Sequence, residues 1–494
     1  MGTKLSRWIL AALAAAGTAC EHHPLEQAPP LAIVSITPSS SDSQTPSDSI
    51  AVVFSKPLDP KTVTTATFSV TMDGAPVPGT VAVHDSVAVF WLATATDGGH
   101  RYRADLSTGI RSNAGNVLPA DVHWDFGVKP VAWPAGILVP VPLRTYEGSG
   151  QAIHPSVLYF PAGFVGWRYV MAITPYPFTD AQYENPSVYG SMDGIHWYVP
   201  VGVENPLVLP GDSVPVTGAA KTARLHAMPA FPDWGHAPIR ARSDEEADPG
   251  IEVFGPGRPA YGTHVAGGCL SDPDLVVDPA TGRLRLYFRQ ASGGFGNGVD
   301  VLFVMESSDL AHWTAPVEVM RGPHASLISP TFVFRGGQWQ MWAVSGRCGD
   351  NATAVRYATS QDGMTDWSPL TVVSVNQPGF VIWHIQVREI ASTLWALYSA
   401  YPVGQGHCTP GELFLARSAD ALAWQVLDQP VLSHLGDSTF SAGFYRSSLI
   451  ARTDQDTLGI WISGFEDQHG EPLKVHTAAV KVGLSGFLAN RAWR

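Results

Sequence analysis

The sequence is poor in charged residues and in cysteine. Of its 494 residues only 15% are charged, the formal net charge is -13, and four residues are cysteines. Because the excess charge is negative, we do not expect nucleic acid or anionic lipid headgroups as partners. The cysteines and histidines show no spacing typical of a zinc site, so the sequence predicts no metal cofactor.

The sequence also lacks an apolar segment long enough to span a membrane. Residues 1–19 are typical of a secretory signal peptide, with a basic start and a short apolar stretch. Cys20 follows at a position that resembles the lipidation site of bacterial lipoproteins, and ordinary cleavage after Ala19 is the alternative. We expect an exported protein, either an outer-membrane-associated lipoprotein of the cell envelope or an extracellular protein. Residues 20–30 would form a tether, and any membrane contact would be through the lipid anchor.

Glycine and proline, in contrast, are abundant, with 48 and 40 residues. Together with the low charge they favour a loop-rich, all-β protein. A chain of this length is too long for one ordinary core, which predicts two or more domains.

Residues 31–128 alternate short strands and turns at a spacing typical of a β-sandwich. The segments Val53–Asp59 and Gly109–Asn116 resemble the bacterial Ig-like domains of surface and cell-wall proteins. The region contains no cysteine pair, so an antibody-type domain is not expected. A role as a spacer is favoured over a role in binding.

A short hairpin recurs four times after this region. Each copy places Ser and Asp before a tight turn and Trp after it, at residues 191–197, 307–313, 360–367 and 418–424. Asp and Ser side chains bond their own backbone in such turns, and the Trp packs the hairpin onto its neighbour. A repeat of this kind indicates a radial or solenoidal fold.

Each hairpin is preceded by a pair of apolar strands, and the first strand of each pair opens with a polar residue. The openings are His154, Asp272, Ser329, His384 and, without a hairpin after it, Arg446. Their common spacing of about 57 residues suits one four-stranded blade of a β-propeller. The sequence therefore predicts an N-terminal Ig-like β-sandwich followed by a five-bladed β-propeller over residues 137–485.

Two irregularities complete this prediction. The first interval is longer than the rest, which indicates an insertion at about 206–268 between blades one and two. The last blade is one strand short, and residues 137–143 are expected to supply the missing strand and close the ring. Closure removes the exposed sheet edges that promote aggregation.

In a propeller the five opening residues lie around the axis on one face, which we call the front face. The Ser-Asp hairpins lie on the opposite face, the back face. Residues two positions further on point the same way and are also polar, including Asp274 and Gln386. The second strands end on the front face, at Tyr176, Arg289, Arg347, Tyr401 and Glu466, and a loop of blade one adds Tyr183 and Glu184. A water-filled channel is the simplest explanation, but the number of charged groups favours a binding site.

We call the front-face opening of the propeller axis the funnel. Carboxylates, arginines and aromatic rings around it suit sugar recognition. We assign acid and base roles to the carboxylates Asp272, Asp274, Glu184 and Glu466. The candidate substrate-binding residues are His154, Arg289, Arg347, His384, Gln386, Arg446, Tyr176, Tyr183 and Tyr401. The expected partner is a glycan, and the protein is expected to be a monomer.

The strand opening Asp272-Pro273 and the Asp-Gly-x-x-Trp hairpins resemble the five-bladed glycosidases of the arabinanase, xylosidase and invertase group. That resemblance implies a glycoside hydrolase. The sequence departs from the group at His154, where those enzymes usually carry Asp, and at Ser329, where many carry the acid Glu. The usual set of three carboxylates is therefore not reproduced.

Two other functions remain open at this stage. A non-catalytic surface propeller would bind a glycan or a protein through the same funnel. The hairpins also resemble the Asp-box of sialidases, although three of the four are one residue shorter. A sialidase-like enzyme would use Arg289, Arg347 and Arg446 with a nucleophilic tyrosine.

The cysteines allow one disulfide prediction. Cys348 and Cys408 lie in front-face loops of adjacent blades and are expected to pair in an oxidising compartment. Cys269 is then left over and is expected to be buried. A Ca²⁺ site formed by Asp272, Asp274 and Asp278 is an alternative, although Asp278 is more typical of a turn residue.

Overall fold

The structure, a computed structural model, describes most of the chain. The described residues are 29–130, 136–210, 269–292, 298–375, 377–405, 408–452, 455–467, 473–489 and 493. The predicted signal peptide, Cys20 and most of the tether lie outside them. So does the predicted insertion from residue 211 onward, whereas Leu207, Val208 and Leu209 at its start are buried.

The N-terminal domain is a β-sandwich of two four-stranded antiparallel sheets. In chain order the strands are β1 (Ile33–Thr37), β2 (Ser49–Phe54), β3 (Phe68–Met72), β4 (Ala75–Pro76), β5 (Gly79–His84), β6 (Val87–Leu92), β7 (Arg101–Leu106) and β8 (Val122–Gly127). One sheet has the order β1-β2-β6-β5 and the other β4-β3-β7-β8. In β2, Ile50, Val52 and Phe54 are buried at alternate positions, as expected for a strand with one face on the core.

The rest of the chain forms five antiparallel sheets, which are the blades of a β-propeller. The strands are β9 (Val139–Pro140), β10 (Ala152–Phe164), β11 (Trp167–Pro175), β12 (Ser187–Ser191), β13 (Cys269–Val277), β14 (Leu284–Ser292), β15 (Val299–Ser307), β16 (Val317–Pro323), β17 (Ile328–Arg335), β18 (Gln338–Ser345), β19 (Ala354–Ser360), β20 (Thr371–Val373), β21 (Phe380–Ile390), β22 (Thr393–Pro402), β23 (Glu412–Ser418), β24 (Gln425–Val426), β25 (Ser448–Arg452), β26 (Thr457–Glu466) and β27 (Lys474–Gly483). The one α-helix among the described residues, α1, spans Leu484–Ala489, and short 3₁₀ helices span Pro60–Thr62, Pro177–Thr179 and Ala181–Tyr183.

The blades follow each other along the chain. Their strand orders are β10-β11-β12, β13-β14-β15-β16, β17-β18-β19-β20, β21-β22-β23-β24 and β25-β26-β27-β9. The innermost strands contact each other in sequence, and β25 returns to β10, so the ring is closed. As the sequence predicts, the missing strand of the last blade comes from the segment before blade one, where β9 pairs with β27.

The Ser-Asp hairpins form tight turns at the outer edge of the back face. In the third copy, Asp362 Oδ1 accepts hydrogen bonds from the backbone amides of Met364 and Thr365, both at 2.8 Å. In the first copy, Trp197 Nε1 donates to the Gly194 carbonyl at 3.1 Å. These hairpins therefore serve the blade structure.

The predicted disulfide between Cys348 and Cys408 is confirmed and links blades three and four. Cys269 is a buried free thiol. Within the described residues, none of the helices is long and apolar enough to cross a membrane.

Candidate functional site

The opening residues of three inner strands adopt an unusual backbone conformation. His154, Asp272 and Ser329 have φ angles of 62°, 55° and 53°, in the left-handed region that residues other than glycine rarely adopt. Each precedes a proline, and the pairing with the second strand shifts register at that point. A β-bulge accommodates the proline, which cannot donate to the ladder. Backbone strain of this kind is concentrated at functional sites.

His154, Asp272 and His384 meet at the front of the propeller axis and form what we call the axial cluster. Asp272 Oδ1 lies 3.4 Å from His154 Nε2 and 3.6 Å from His384 Nδ1. One ligating atom of each residue lies within 4.8 Å of the other two. All three side chains are buried, yet Asp272 Oδ1, His154 Nε2 and both ring nitrogens of His384 have no hydrogen-bond partner. Buried polar atoms are normally bonded, so this set indicates a bound ligand.

Burial sets the protonation of the axial cluster. Desolvation lowers the pKa of His154 to about 3 and the pKa of His384 well below its usual value, so both imidazoles are neutral at neutral pH. Burial alone would raise the pKa of Asp272, but the electrostatic effects of the neighbouring His154 and Arg289 outweigh it and lower that pKa below its usual range. Neutral imidazoles and an ionised carboxylate are the forms that bind a divalent metal.

Arg289 orients the carboxylate of the axial cluster. Its Nε donates to Asp272 Oδ2 at 2.9 Å, which leaves Oδ1 facing the two imidazoles. Its Nη1 donates at 3.2 Å to Asp300, a fully buried carboxylate that also accepts from the backbone amides of Ser326 and Leu327. Asp300 therefore fixes Arg289, and Arg289 fixes Asp272.

Glu184 lies on the other side of His154. Its Oε1 is 3.6 Å from His154 Nδ1, and Thr174 Oγ1 is 3.4 Å from the same nitrogen. The Glu184 side chain is buried, and its carbonyl accepts the Leu270 amide at 2.9 Å, which ties the loop to the blade-two strand β13. A carboxylate at Nδ1 favours the tautomer whose Nε2 is free to ligate a metal.

Two imidazoles and one carboxylate are a donor set for a transition metal such as zinc or iron. Calcium prefers oxygen ligands, and the alternative Ca²⁺ site is not formed. Asp278 instead accepts from Ala280 N and Thr281 Oγ1 in its own turn and pairs with Arg285. The sequence predicted no metal cofactor, because the three residues of the axial cluster lie in separate blades and have no short spacing that would indicate a metal site.

Asp274 takes part in a separate network below the axial cluster. It is fully buried and accepts hydrogen bonds from Ser156 Oγ at 3.0 Å and from the Phe332 amide at 2.8 Å. Arg388 Nη2 lies 2.9 Å and Arg446 Nη2 3.5 Å from its Oδ1. With its lone pairs occupied, Asp274 holds the inner strands of the blades together rather than facing the funnel.

Tyr445 is the aromatic residue nearest to the axial cluster among the described contacts. Its ring centroid lies 4.0 Å from that of His384 and 5.3 Å from that of His154. Trp383 Nε1 donates to the Tyr445 hydroxyl at 3.1 Å. The half-buried tyrosine therefore forms a wall of the site.

The three tyrosines assigned to substrate binding are buried in the blades. Tyr176 packs in an apolar cluster with Ile153 and Phe465. Tyr401 donates to the Asp350 carbonyl at 2.8 Å, and Tyr183 is 2% exposed. None of the three rings presents an exposed face to the funnel.

The remaining assigned residues are dispersed. Gln386 is fully buried and accepts the Leu449 amide through its side chain, and Arg446 also bonds the carbonyls of Pro273 and Pro330. Arg347 is exposed at the rim, and Glu466 bonds His476 Nε2 at 2.7 Å. Arg289 pairs with Asp272 and Arg446 with Asp274, whereas Arg347 is exposed, so the three arginines do not share one partner as the expected sialidase-like site would require.

Some residues of the site were missed in the sequence. Arg388 is two positions after Gln386 on the same inner strand, and strand alternation alone would have placed it beside the axis. Tyr445 precedes Arg446, but nothing local marks its orientation. Asp300 comes from β15, the third strand of blade two, and His324, whose Nδ1 lies 3.5 Å from Asp300 Oδ1, comes from a loop. No pattern in the sequence distinguished either residue.

Comparison with known proteins gives the class of each domain. Residues 26–128 match the bacterial Ig-like domain family. The propeller is similar in fold to the crystal structure of an N-acetylgalactosamine deacetylase from F. plautii in complex with blood group B trisaccharide. That comparison has a TM-score of 0.52 and 19% identity, and it covers 72% of this chain and 97% of the other. The protein is thus an Ig-like domain joined to a five-bladed propeller of the kind found in carbohydrate-processing enzymes.

In sequence, the chain is similar to the A type blood N-acetyl-alpha-D-galactosamine deacetylase of Flavonifractor plautii. The two are 40% identical over 374 residues, which covers 70% of this chain and 44% of the relative. The chain therefore spans less than half the length of that relative. The xylan beta-1,4-xylosidase of Bacillus halodurans is a weaker structural match, with a TM-score of 0.45, 10% identity and coverage of 70% and 54%.

Proposed function

We propose that this protein is a metal-dependent hydrolase that removes the acetyl group from an N-acetylated amino sugar. The axial cluster is the main support, because three buried residues present unbonded ligand atoms at one point of the funnel. The similarity to an N-acetylgalactosamine deacetylase supports the substrate class. The proposal replaces acid and base catalysis on a glycosidic bond as the leading function.

His154, Asp272 and His384 would hold the metal. A divalent transition metal in such a site supplies Lewis acidity, which polarises a carbonyl group and makes water acidic near neutral pH. Deacetylation adds water across the amide C–N bond and yields acetate and a free amine. A site with three protein ligands leaves coordination positions for the reactants.

The surrounding residues keep the axial cluster in place. Arg289 holds Asp272 so that Oδ1 faces the metal position, and the Glu184 carboxylate lies 3.6 Å from His154 Nδ1. Such partners of metal ligands typically change metal affinity or activity about 10- to 100-fold when they are removed. Tyr445, beside His384 and His154, would contact the sugar ring, because an aromatic face packs against the apolar face of a pyranose.

The test measures metal content and acetate release together. The full chain is stripped with a chelator and reloaded with zinc, manganese, cobalt or iron, and acetate release from N-acetylhexosaminides is followed. We expect activity to depend on reloading. His384→Ala should lose both bound metal and activity, whereas the matched variant His312→Ala, at an exposed hairpin position, should keep both. Metal-loaded protein that releases no acetate from any N-acetylhexosaminide would exclude this function.

Glycoside hydrolysis is a second candidate, and one observation favours it. Two buried carboxylates, Glu184 and Asp272, flank His154 on opposite sides. If they acted as an acid and base pair, new reducing ends would appear without acetate and without added metal. Measuring both products from one N-acetylated oligosaccharide separates the two functions.

A further inference from the structure

Arg289 lies between two buried carboxylates, one inside the axial cluster and one outside it. Its Nε donates to Asp272 Oδ2 at 2.9 Å, and its Nη1 donates to Asp300 Oδ1 at 3.2 Å. Both aspartates are fully buried. Because a guanidinium is planar and its donors keep fixed relative directions, an acceptor on one side restricts the orientation of the group toward the other. The position of Asp300 therefore affects the direction in which Asp272 Oδ1 points.

Asp300 is itself held by the backbone of the next blade. It is the second residue of β15 in blade two, and its Oδ2 accepts the Ser326 and Leu327 amides at 3.0 and 3.1 Å. These two residues directly precede β17, the inner strand of blade three. Its Oδ1 also lies 3.5 Å from His324 Nδ1. Since backbone amides have no rotamers to change, Asp300 is a fixed acceptor against which the Arg289 guanidinium is oriented.

Charge adds a second effect of the same sign. The two carboxylates and the guanidinium together carry one net negative charge, which favours a dication at the axial cluster. Without the Asp300 carboxylate, the positive charge of Arg289 would be offset less and would oppose a dication beside Asp272. Charges interact more strongly in a buried site than in water. Loss of the Asp300 carboxylate should therefore weaken metal binding through both orientation and charge.

We propose that Asp300 is a positioning residue of the metal site and that it sets the affinity of the axial cluster for a divalent metal through Arg289. Asp300 acts without contacting the metal or the substrate, because Arg289 lies between it and Asp272. This inference rests on the proposed function only in that the axial cluster binds a metal, and it does not require deacetylation.

A second buried pair of arginine and carboxylate in blade two provides the matched control. Arg285 lies on β14, as Arg289 does, and its Nη2 is 3.2 Å from Asp278 Oδ2. Asp278 is buried and accepts the Ala280 amide at 3.1 Å, much as Asp300 accepts two loop amides. Among the described contacts, neither Arg285 nor Asp278 bonds a member of the axial cluster. A general loss of blade stability would therefore appear in both pairs, and a metal effect only in one.

The test measures metal affinity on the full chain by competition with a chromogenic chelator for zinc, cobalt or manganese. Asp300→Asn keeps the size of the side chain but replaces one acceptor oxygen by an NH₂ donor. We expect it to weaken metal binding by about tenfold, at the lower end of the range for outer partners of metal ligands. Asp278→Asn should bind metal as the unaltered protein does. Unchanged affinity in Asp300→Asn, or an equal loss in Asp278→Asn, would overturn the proposal.

A double-mutant cycle tests whether Asp300 acts through Arg289. Arg289→Lys keeps the positive charge, but a single ammonium group cannot reproduce the two-sided fork, so this variant should also weaken metal binding. In the Arg289→Lys background, Asp300→Asn should have a smaller further effect than it has alone. If it weakened metal binding by the same factor in both backgrounds, the proposal would be wrong. Should Asp300→Asn not fold, unchanged metal affinity in Arg289→Lys would contradict the proposal by itself.

The same measurements distinguish this inference from the proposed function. If the unaltered protein binds metal but releases no acetate, deacetylation is excluded, and a loss of affinity in Asp300→Asn still supports the positioning role. If acetate is released and Asp300→Asn binds metal as tightly as the unaltered protein, the positioning role fails and the proposed function stands. Unaltered protein that binds no divalent metal would overturn both.

Discussion

At the scale of single residues, two neighbouring aspartates of one strand have different roles: one can bind a ligand and the other stabilises the fold. Asp272 and Asp274 both lie in β13 and are both fully buried. Asp272 keeps one oxygen without a hydrogen bond and faces two imidazoles, whereas Asp274 is surrounded by two arginines, a hydroxyl and a backbone amide. The first is available to a ligand and the second is not.

This difference predicts opposite outcomes for the same substitution. Asp272→Asn should abolish metal binding and acetate release, with a smaller effect on stability because Arg289 retains Asp300. Asp274→Asn leaves Arg388 and Arg446 buried without their carboxylate, and breaking a buried ion pair typically costs about 3–5 kcal/mol. Urea unfolding and metal analysis of both variants provide the check. A stable Asp274→Asn variant that has lost only activity would contradict this assignment.

Sequence reasoning found the ring of opening residues but not its chemistry. The polar strand openings and the blade spacing identified His154, Asp272 and His384 as neighbours around an axis. They did not reveal that Asp272 turns one oxygen toward both imidazoles, because that depends on the bulge and on Arg289 from the next strand. The burial of Tyr176 and Tyr401 was likewise not predictable, because a strand end on the correct face does not fix which side of the strand the ring occupies.

At the scale of the element, the Ser-Asp hairpins illustrate how a repeated turn stabilises a blade. The Asp362 carboxylate is desolvated, which opposes its ionisation, but hydrogen bonds from the Thr365 and Met364 amides outweigh this and lower its pKa below the usual range. The pKa values of Asp193, Asp309 and Asp420 are lowered as well. A carboxylate whose pKa is lower in the folded state stabilises the fold above its unfolded pKa, about 3.9, and this contribution is lost as pH falls toward the folded value.

Asp362→Asn should therefore destabilise the protein most near neutral pH. Below about pH 4 the unaltered Asp362 also begins to lose its contribution, so the difference in melting temperature between the two proteins should narrow. Asp366→Asn, an exposed position in the same hairpin, serves as the control and should show a small difference without this trend. Melting curves between about pH 3 and pH 7, a range that brackets the unfolded pKa of aspartate, test the prediction. A difference that widens in acid would show that the hairpin carboxylate does not act in this way.

Blade one depends on a glycine in its third strand. Gly190 lies in β12, and a Cβ added there would lie 2.2 Å from Cδ2 of the buried Trp167 ring. The indole fills the space that a side chain would need, and it also stacks near Tyr198, which contacts the Ig-like domain. Only glycine fits this strand position.

Gly190→Ala should lower the free energy of unfolding by about 1–3 kcal/mol, the usual cost of overpacking a core. Gly486→Ala is the matched control, because no atom lies within 4 Å of a Cβ at that exposed position. Denaturant titration of both variants would test the prediction. If both variants unfolded at the same denaturant concentration, the close packing of Trp167 against β12 would not be supported.

At the scale of the whole molecule, the repeat in the sequence was sufficient to predict the architecture. Blade spacing gave five blades, and the shortfall in the last one predicted the return of the segment before blade one, now seen as β9 on β27. The pocket of about 490 Å³ that Asp97 and Lys481 line between the two domains could not be predicted in this way. It is formed by residues from both ends of the described chain, such as Asp97 and Lys481, whose proximity depends on how the sandwich lies against the ring.

The disulfide is the covalent link between two blades, and its effect on stability belongs to this scale. Cys348 and Cys408 are 60 residues apart, and closing a loop of that length restricts the unfolded chain by about 4 kcal/mol on the entropy model. The double variant Cys348→Ser/Cys408→Ser should unfold at lower urea concentration than the oxidised protein. Adding reductant should lower the urea midpoint of the unaltered protein to that of the double variant. The midpoint of the double variant should not change, because its buried Cys269 is a free thiol. If reductant also destabilised the double variant, the effect would not come from this link.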